Sequence, residues 1–121
     1  MRFLGAQPQE VLPSLYNAAD VMVLPSLAEG LANAWVEALA CGTPIVITDV
    51  GGAREVLTHP DAGVIVARDA AAIAAGVRAV LERKFPDREG IRRSVGQFTW
   101  EANAQGMAAH LRRLVQQHVA P

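Results

Sequence analysis

Val21-Met22-Val23-Leu24-Pro25-Ser26-Leu27-Ala28-Glu29-Gly30-Leu31-Ala32-Asn33-Ala34-Trp35-Val36-Glu37-Ala38-Leu39-Ala40-Cys41-Gly42-Thr43-Pro44-Ile45-Val46-Ile47-Thr48-Asp49-Val50-Gly51-Gly52 spells, in order, strand, loop, helix, strand and turn. The first apolar run stops at Pro25. Leu31, Trp35, Ala38 and Leu39 then recur at helical spacing over a region from Leu31 to Cys41, and Gly42 is a natural residue on which to end a helix. Ile45-Val46-Ile47 is apolar without alternation. Runs of that kind suit strands covered on both faces, as in parallel sheets.

The same alternation continues on either side. Gly51-Gly52 turns the chain into a short helix around Arg54 to Leu57, His59-Pro60-Asp61-Ala62-Gly63 is a turn by composition, and Val64-Ile65-Val66 is another strand. Asp69 is a good N-cap for a helix through Leu81, periodic in Ile73, Val77, Val80 and Leu81. Further helices are predicted over Asp87 to Val95 and from about Thr99 onward, the last with Met107, Leu111, Leu114 and Val115. Upstream, Val11, Leu12, Leu15, Tyr16 and Ala19 have helical spacing, with Pro13 tolerable in the first turn. Arg2-Phe3-Leu4 before Gly5 reads as the end of a buried strand. Strands alternating with helices predict an α/β fold, a Rossmann-like parallel sheet flanked by helices.

A chain of 121 residues holds one domain and no second, so residues 1–121 are taken as a single unit. Half the residues are apolar (51%) and the formal net charge is -1, which excludes a disordered chain and a general electrostatic affinity for nucleic acid. The basic residues from Arg78 to Arg93 are interleaved with Glu82, Asp87 and Glu89, the pattern of a solvated helix face. Cys41 is the sole cysteine, so no disulfide within the chain and no cysteine metal cluster is expected. Met1-Arg2-Phe3-Leu4-Gly5 has no charged-then-apolar leader pattern, and no apolar run approaches the roughly 20 residues that span a bilayer. A cytoplasmic location is the expectation.

In open α/β sheets, ligands bind at the carboxyl ends of the strands. Ser26 to Asn33 and Thr48 to Arg54 fall there. A helix opening near Leu31 presents unpaired N–H groups and about half a positive charge, which suits a phosphate or sugar hydroxyls. Glu29 precedes that helix, and Glu37 lies about six residues, or some 9 Å, along it. Carboxylates take strong hydrogen bonds from hydroxyls, so one acid suits a sugar ring and the other a ribose. From the residues alone, two plainer readings stay open: Glu29 as a first-turn acid complementing the helix dipole, and Glu37 as a solvent-facing residue of an amphipathic helix. Trp35 reads as core, Cys41 as a small buried hydrophobe, and Gly51-Gly52 as a tight turn lacking the spaced glycines of a dinucleotide fingerprint. His59, His110 and His118 are dispersed.

Pro25-Ser26 through Glu29-Gly30, Glu37-Ala38-Leu39-Ala40-Cys41-Gly42-Thr43-Pro44, then Asp49-Val50-Gly51-Gly52 and Glu55, together closely resemble the C-terminal-domain signature of the retaining glycosyltransferases of family 4, also called group 1. The resemblance extends to Phe3-Leu4-Gly5, Leu15-Tyr16, Ala19-Asp20-Val21, Gly63-Val64-Ile65-Val66 and Phe98-Thr99-Trp100, nearly the whole chain. It implies the GT-B fold, in which two Rossmann-like domains hold a nucleotide-diphosphate-sugar donor mainly on the C-terminal one. It further implies that Glu29 contacts the donor sugar as the catalytic acidic residue. Glu37 is implied to contact the ribose, and the amides of Gly30, Leu31, Ala32 and Asn33 to take sugar hydroxyls and the diphosphate. No metal or other cofactor is expected, since basic residues and the helix N-terminus stabilise the leaving diphosphate.

The pattern is incomplete. The family's domain begins with two further strands and a loop whose arginine and lysine grip the diphosphate; these are not matched here, and Lys84 does not occupy the lysine's place. The chain is thus expected to be an incomplete GT-B C-terminal domain lacking its first two strands. Its partners would be the donor and a missing N-terminal half. The family's sheet order puts the absent strands between the strand at Phe3 and that at Val21. The edge at Val21 is therefore expected to be bare, with self-association through it or rearrangement of the first strand as the outcome. No turnover is expected of the isolated chain. Two other readings are a non-catalytic nucleotide-sugar-binding or assembly module of GT-B type, and a GT-B nucleotide-sugar epimerase fragment.

Overall fold

The computed structural model describes residues 1–119. Three strands, β1 (Met22–Leu24), β2 (Ile45–Thr48) and β3 (Gly63–Val66), form a parallel sheet in the order β1-β2-β3. Six α-helices, α1 (Leu12–Ala18), α2 (Asn33–Ala40), α3 (Ala53–Val56), α4 (Ala70–Leu81), α5 (Arg88–Ser94) and α6 (Trp100–Val119), alternate with and follow the strands. A short 3-10 turn, Gln9–Val11, leads into α1, whose Pro13 sits in the first turn where its missing N–H costs nothing. Asp69 and Asp87 cap α4 and α5 by accepting from Ala72 N–H (2.9 Å) and Gly90 N–H (2.8 Å). Thr99 Oγ1 does the same for Ala102 N–H at the start of α6 (3.1 Å).

Every residue of β2 is buried, and its side chains alternate between two packed layers. Ile45 and Ile47 face a core made of Trp35, Ala38 and Leu39 of α2, Ala53 and Val56 of α3, Ile91 of α5, and Val95. Val46 faces the other way, where α4 lies close enough that a Cβ on Gly76 would touch Val64, Val66 and Val46. Glycine in a helix interior is unfavourable by about 1 kcal/mol; here it lets α4 settle onto the strands. α4 covers β2 and β3 but not β1, so Val23, which shares Val46's face, is 39% exposed.

Two boundaries differ from the expected ones. α2 begins at Asn33, not near Leu31, because Ala32 is still extended (φ -69°, ψ 123°) and Leu31 is exposed. Arg2-Phe3-Leu4 forms no strand, and Phe3 is 84% exposed. A strand is stabilised by its ladder, and no described strand lies beside these residues. β1 is accordingly the sheet edge. The peptide groups of the alternate residues Met22 and Leu24 turn toward β2, with Met22 N–H on the Pro44 carbonyl at 2.9 Å, which leaves the Val23 peptide groups on the open side. The apolar residues of α6 are also exposed, among them Trp100, Met107 and Leu111.

Trp35 is fully buried, and its indole N–H has no hydrogen-bond partner among the described residues. Truncating so large a core side chain should cost about 3–5 kcal/mol, whereas an orphan donor is itself unfavourable by about 1–3 kcal/mol. Trp35→Phe, which removes the donor and keeps most of the ring, is therefore expected to be much milder than Trp35→Ala. Urea midpoints for the two variants check the ranking; equal midpoints would show that ring volume is not what Trp35 contributes.

Candidate functional site

The loops that leave the carboxyl ends of β1 and β2 touch. Gly52 N–H donates to the Gly30 carbonyl at 2.7 Å, and a Cβ on Gly51 would collide with the carbonyls of Gly30 and Glu29. Gly51 also has φ +49°, so the contact requires glycine twice over. A second tie comes from Thr48 at the end of β2, whose hydroxyl donates to the Ser26 carbonyl at 2.5 Å. Ser26 in turn donates from Oγ to Glu29 Oε1 at 2.8 Å. Glu29 is exposed yet oriented, by a chain that starts on a buried threonine.

Beyond Glu29 the chain enters α2 without a side-chain cap. Trp35 N–H closes the first turn on the Ala32 carbonyl at 3.0 Å. For the N–H groups of Gly30, Leu31, Ala32 and Asn33, no protein acceptor occurs among the described residues. Because the helix starts at Asn33, the amides of Gly30, Leu31 and Ala32 belong to the loop and only that of Asn33 to the helix. Four consecutive donors are nonetheless presented beside the helix's positive end.

Glu37 is the fifth residue of α2, about 6 Å along from the first at roughly 1.5 Å per residue, and is half-buried. Its Oε2 accepts from the Tyr16 hydroxyl at 3.3 Å. The Tyr16 phenol is pushed above its ordinary pKa, first by burial, then by the charge of Glu37 and its hydrogen bond, with Cys41 adding to it. Tyr16 and Glu37 line a cleft of about 230 Å³ between α1 and α2, together with Gln9, Leu12 and Cys41. Glu29, before α2, and Glu37, midway along it, thus have separate partners and share no hydrogen-bonded unit.

Arg54, the second residue of α3, is engaged elsewhere. Its Nε and Nη2 fork onto Asp49 Oδ1 and Oδ2 at 3.0 and 2.5 Å. The hydrogen bond and charge of Arg54 hold the exposed Asp49 carboxyl below the usual carboxylate range. Since that pKa is lowered, what the pair contributes is present at neutral pH and is lost as pH falls through the depressed value. Ser26 and Thr48 support Glu29, and Tyr16, whose carbonyl accepts from Thr43 Oγ1 at 2.6 Å, supports Glu37; only Ser26, three residues before Glu29, stood close enough in sequence to signal its role.

Residues 1–97 match the model of the family described as glycosyl transferases group 1. Among curated proteins, the chain is 43% identical over 110 residues to the D-inositol 3-phosphate glycosyltransferase of Geodermatophilus obscurus, covering 90% of this chain and 24% of that protein. It is 37% identical over 106 residues to the O-antigen chain mannosyltransferase B of Escherichia coli, covering 84% and 27%. The chain therefore spans about a quarter of the length of the curated relatives it matches. Among solved structures, the sucrose-phosphate synthase of Thermosynechococcus elongatus superposes with a TM-score of 0.72 at 31% identity, covering 96% of this chain and 30% of the other. The parallel sheet, its flanking helices and these matches together show that the chain belongs to the glycosyl transferases of group 1, with the fold of a GT-B C-terminal domain and only part of the length of its relatives.

Proposed function

We propose that this chain is the donor-binding part of a retaining glycosyltransferase that takes its sugar from a nucleotide diphosphate. The observation that carries the reading is the run of four unpaired amides at Gly30, Leu31, Ala32 and Asn33, with Glu29 beside it held by Ser26. Amides fixed in the loop need no reorganisation when the diphosphate leaves, so the charge that builds on it is met by dipoles already in place. Glu29 is assigned to the transferred sugar and Glu37 to the ribose. The reading gives the site no metal. It also gives the site no free cation among the described residues, since Arg54 is forked onto Asp49, and for that reason turnover is assigned to the longer protein and not to the isolated chain.

Two further proposals concern the chain's surroundings. Among the described residues no helix is long and apolar enough to cross a membrane, and the lone thiol of Cys41 fits a reducing compartment, so we place the chain in the cytoplasm. The bare edge of β1 is assigned to self-association when the chain is alone. Sedimentation velocity across a concentration series is expected to show species larger than the monomer; a monomer at every concentration would remove the edge-pairing proposal.

Calorimetric titration with a panel of UDP-, GDP- and ADP-hexoses and the matching nucleoside diphosphates tests the site. Losing a hydrogen bond to a charged group is worth at least about tenfold in affinity. Glu29→Ala is expected to weaken the nucleotide-sugars by that factor and spare the diphosphates, whereas Glu37→Ala is expected to weaken both. Unchanged binding in both variants would sink the assignment. Gly51→Ala should weaken every member of the panel, because the loops could no longer meet.

A further inference from the structure

Two side chains hold the acids of this site, and they are built alike. On one side, buried Thr48 donates to the Ser26 carbonyl and Ser26 donates to Glu29. On the other, buried Thr43 donates from Oγ1 to the Tyr16 carbonyl at 2.6 Å, and Tyr16 donates to Glu37. The second arrangement is fixed independently of Glu37. Arg88 of α5 donates from Nη2 to the same Thr43 hydroxyl at 3.2 Å and to the Asn17 carbonyl at 3.4 Å. Ala19 N–H also reaches the Tyr16 carbonyl, at 3.1 Å. The Tyr16 ring packs on the margin of the core. With its backbone pinned and its ring packed, Tyr16 has little freedom left, and its hydroxyl arrives at the carboxylate of α2.

We propose that Tyr16 is a positioning residue for Glu37: its hydroxyl holds Oε2 and so leaves Oε1 as the oxygen offered to a ligand hydroxyl. A glutamate on a helix surface otherwise samples several rotamers and loses that freedom when it binds. Held by Tyr16, Glu37 has surrendered part of it beforehand. The phenol is neutral through the physiological range and is a hydrogen-bond donor there; its raised pKa extends that state to higher pH. At 3.3 Å the bond is long for a hydroxyl on an oxygen, which sets the expected effect at the modest end of measured couplings. The identity of the ligand group, a ribose hydroxyl, rests on the donor reading above; the hold of Tyr16 on Glu37 does not.

Tyr16 is the chain's sole tyrosine, so a carbon-13 label at tyrosine Cζ gives one resonance to titrate. The wild-type midpoint is expected above the ordinary phenol value of about 10, and Glu37→Gln is expected to bring it down while leaving the part due to burial. Circular dichroism over the same range confirms that the fold persists. A midpoint unmoved by Glu37→Gln overturns the proposal. In parallel, Tyr16→Phe, which keeps the ring, should lower the affinity for UDP, GDP or ADP about three- to tenfold. The same change should have no effect in a Glu37→Ala background. An equal loss in both backgrounds means that the hydroxyl acts through packing or folding and also overturns the proposal, as does full affinity in Tyr16→Phe. Should none of the three diphosphates bind the wild-type chain, the donor reading falls, and the carbon-13 titration alone decides whether the phenol holds the carboxylate.

Discussion

Burial of β2 on both faces is the constraint from which the site follows. A strand sealed between two layers has only its ends at which to meet polar groups, and this one is preceded by Thr43 and ends on Thr48, both buried. A buried hydroxyl must find a partner, because leaving it unpaired costs about 1–3 kcal/mol. Each threonine finds a main-chain carbonyl, that of Tyr16 in α1 for Thr43 and that of Ser26 just after β1 for Thr48. What satisfies the two hydroxyls therefore also fixes the two segments that carry Tyr16 and Ser26, and through them Glu37 and Glu29. The acids sit on the surface, but their orientation is set from the core.

How much of this was legible in the sequence depends on how local each cause is. The apolar run Ile45-Val46-Ile47 announced a strand because burial on both faces leaves no room for alternation. Asp69 announced a helix start because a capping carboxylate acts within three residues. Leu31 misled because its spacing with Trp35 is helical while its place is set by another loop: Leu31 packs near Gly52, Ala32 stays extended, and the helix waits until Asn33. Phe3 misled because a strand's existence depends on a neighbour and not on its own residues. The Tyr16–Glu37 contact spans 21 positions and depends on how α1 docks against α2, so no pattern along the chain could reveal it.

Glycine placement shows how close the two loops must come. The Gly51 position has no space for a Cβ, since the carbonyls of Glu29 and Gly30 occupy it. This crowding turns both carbonyls toward the Gly51-Gly52 turn, and Gly52 N–H takes up that of Gly30. With the Glu29 and Gly30 carbonyls against the neighbouring loop, the N–H groups of Gly30 to Asn33 meet no protein acceptor among the described residues. The donor run and the Gly-Gly turn are thus one feature seen from two sides, and neither makes sense as a decoration of the other.

Charge sets the limit on what this arrangement does alone. A helix end offers about half a unit of positive charge, and its influence fades within the first turn. Under the donor reading, the leaving diphosphate carries several times that in negative charge. The Arg54 guanidinium does not make up the difference, because its fork is matched to Asp49. Freeing Arg54 by removing Asp49 would supply a cation on a flexible stem with nothing to aim it. Under that reading the amides meet only part of the charge that leaves with the diphosphate, and the remainder falls to the length of the group 1 relatives that this chain does not span.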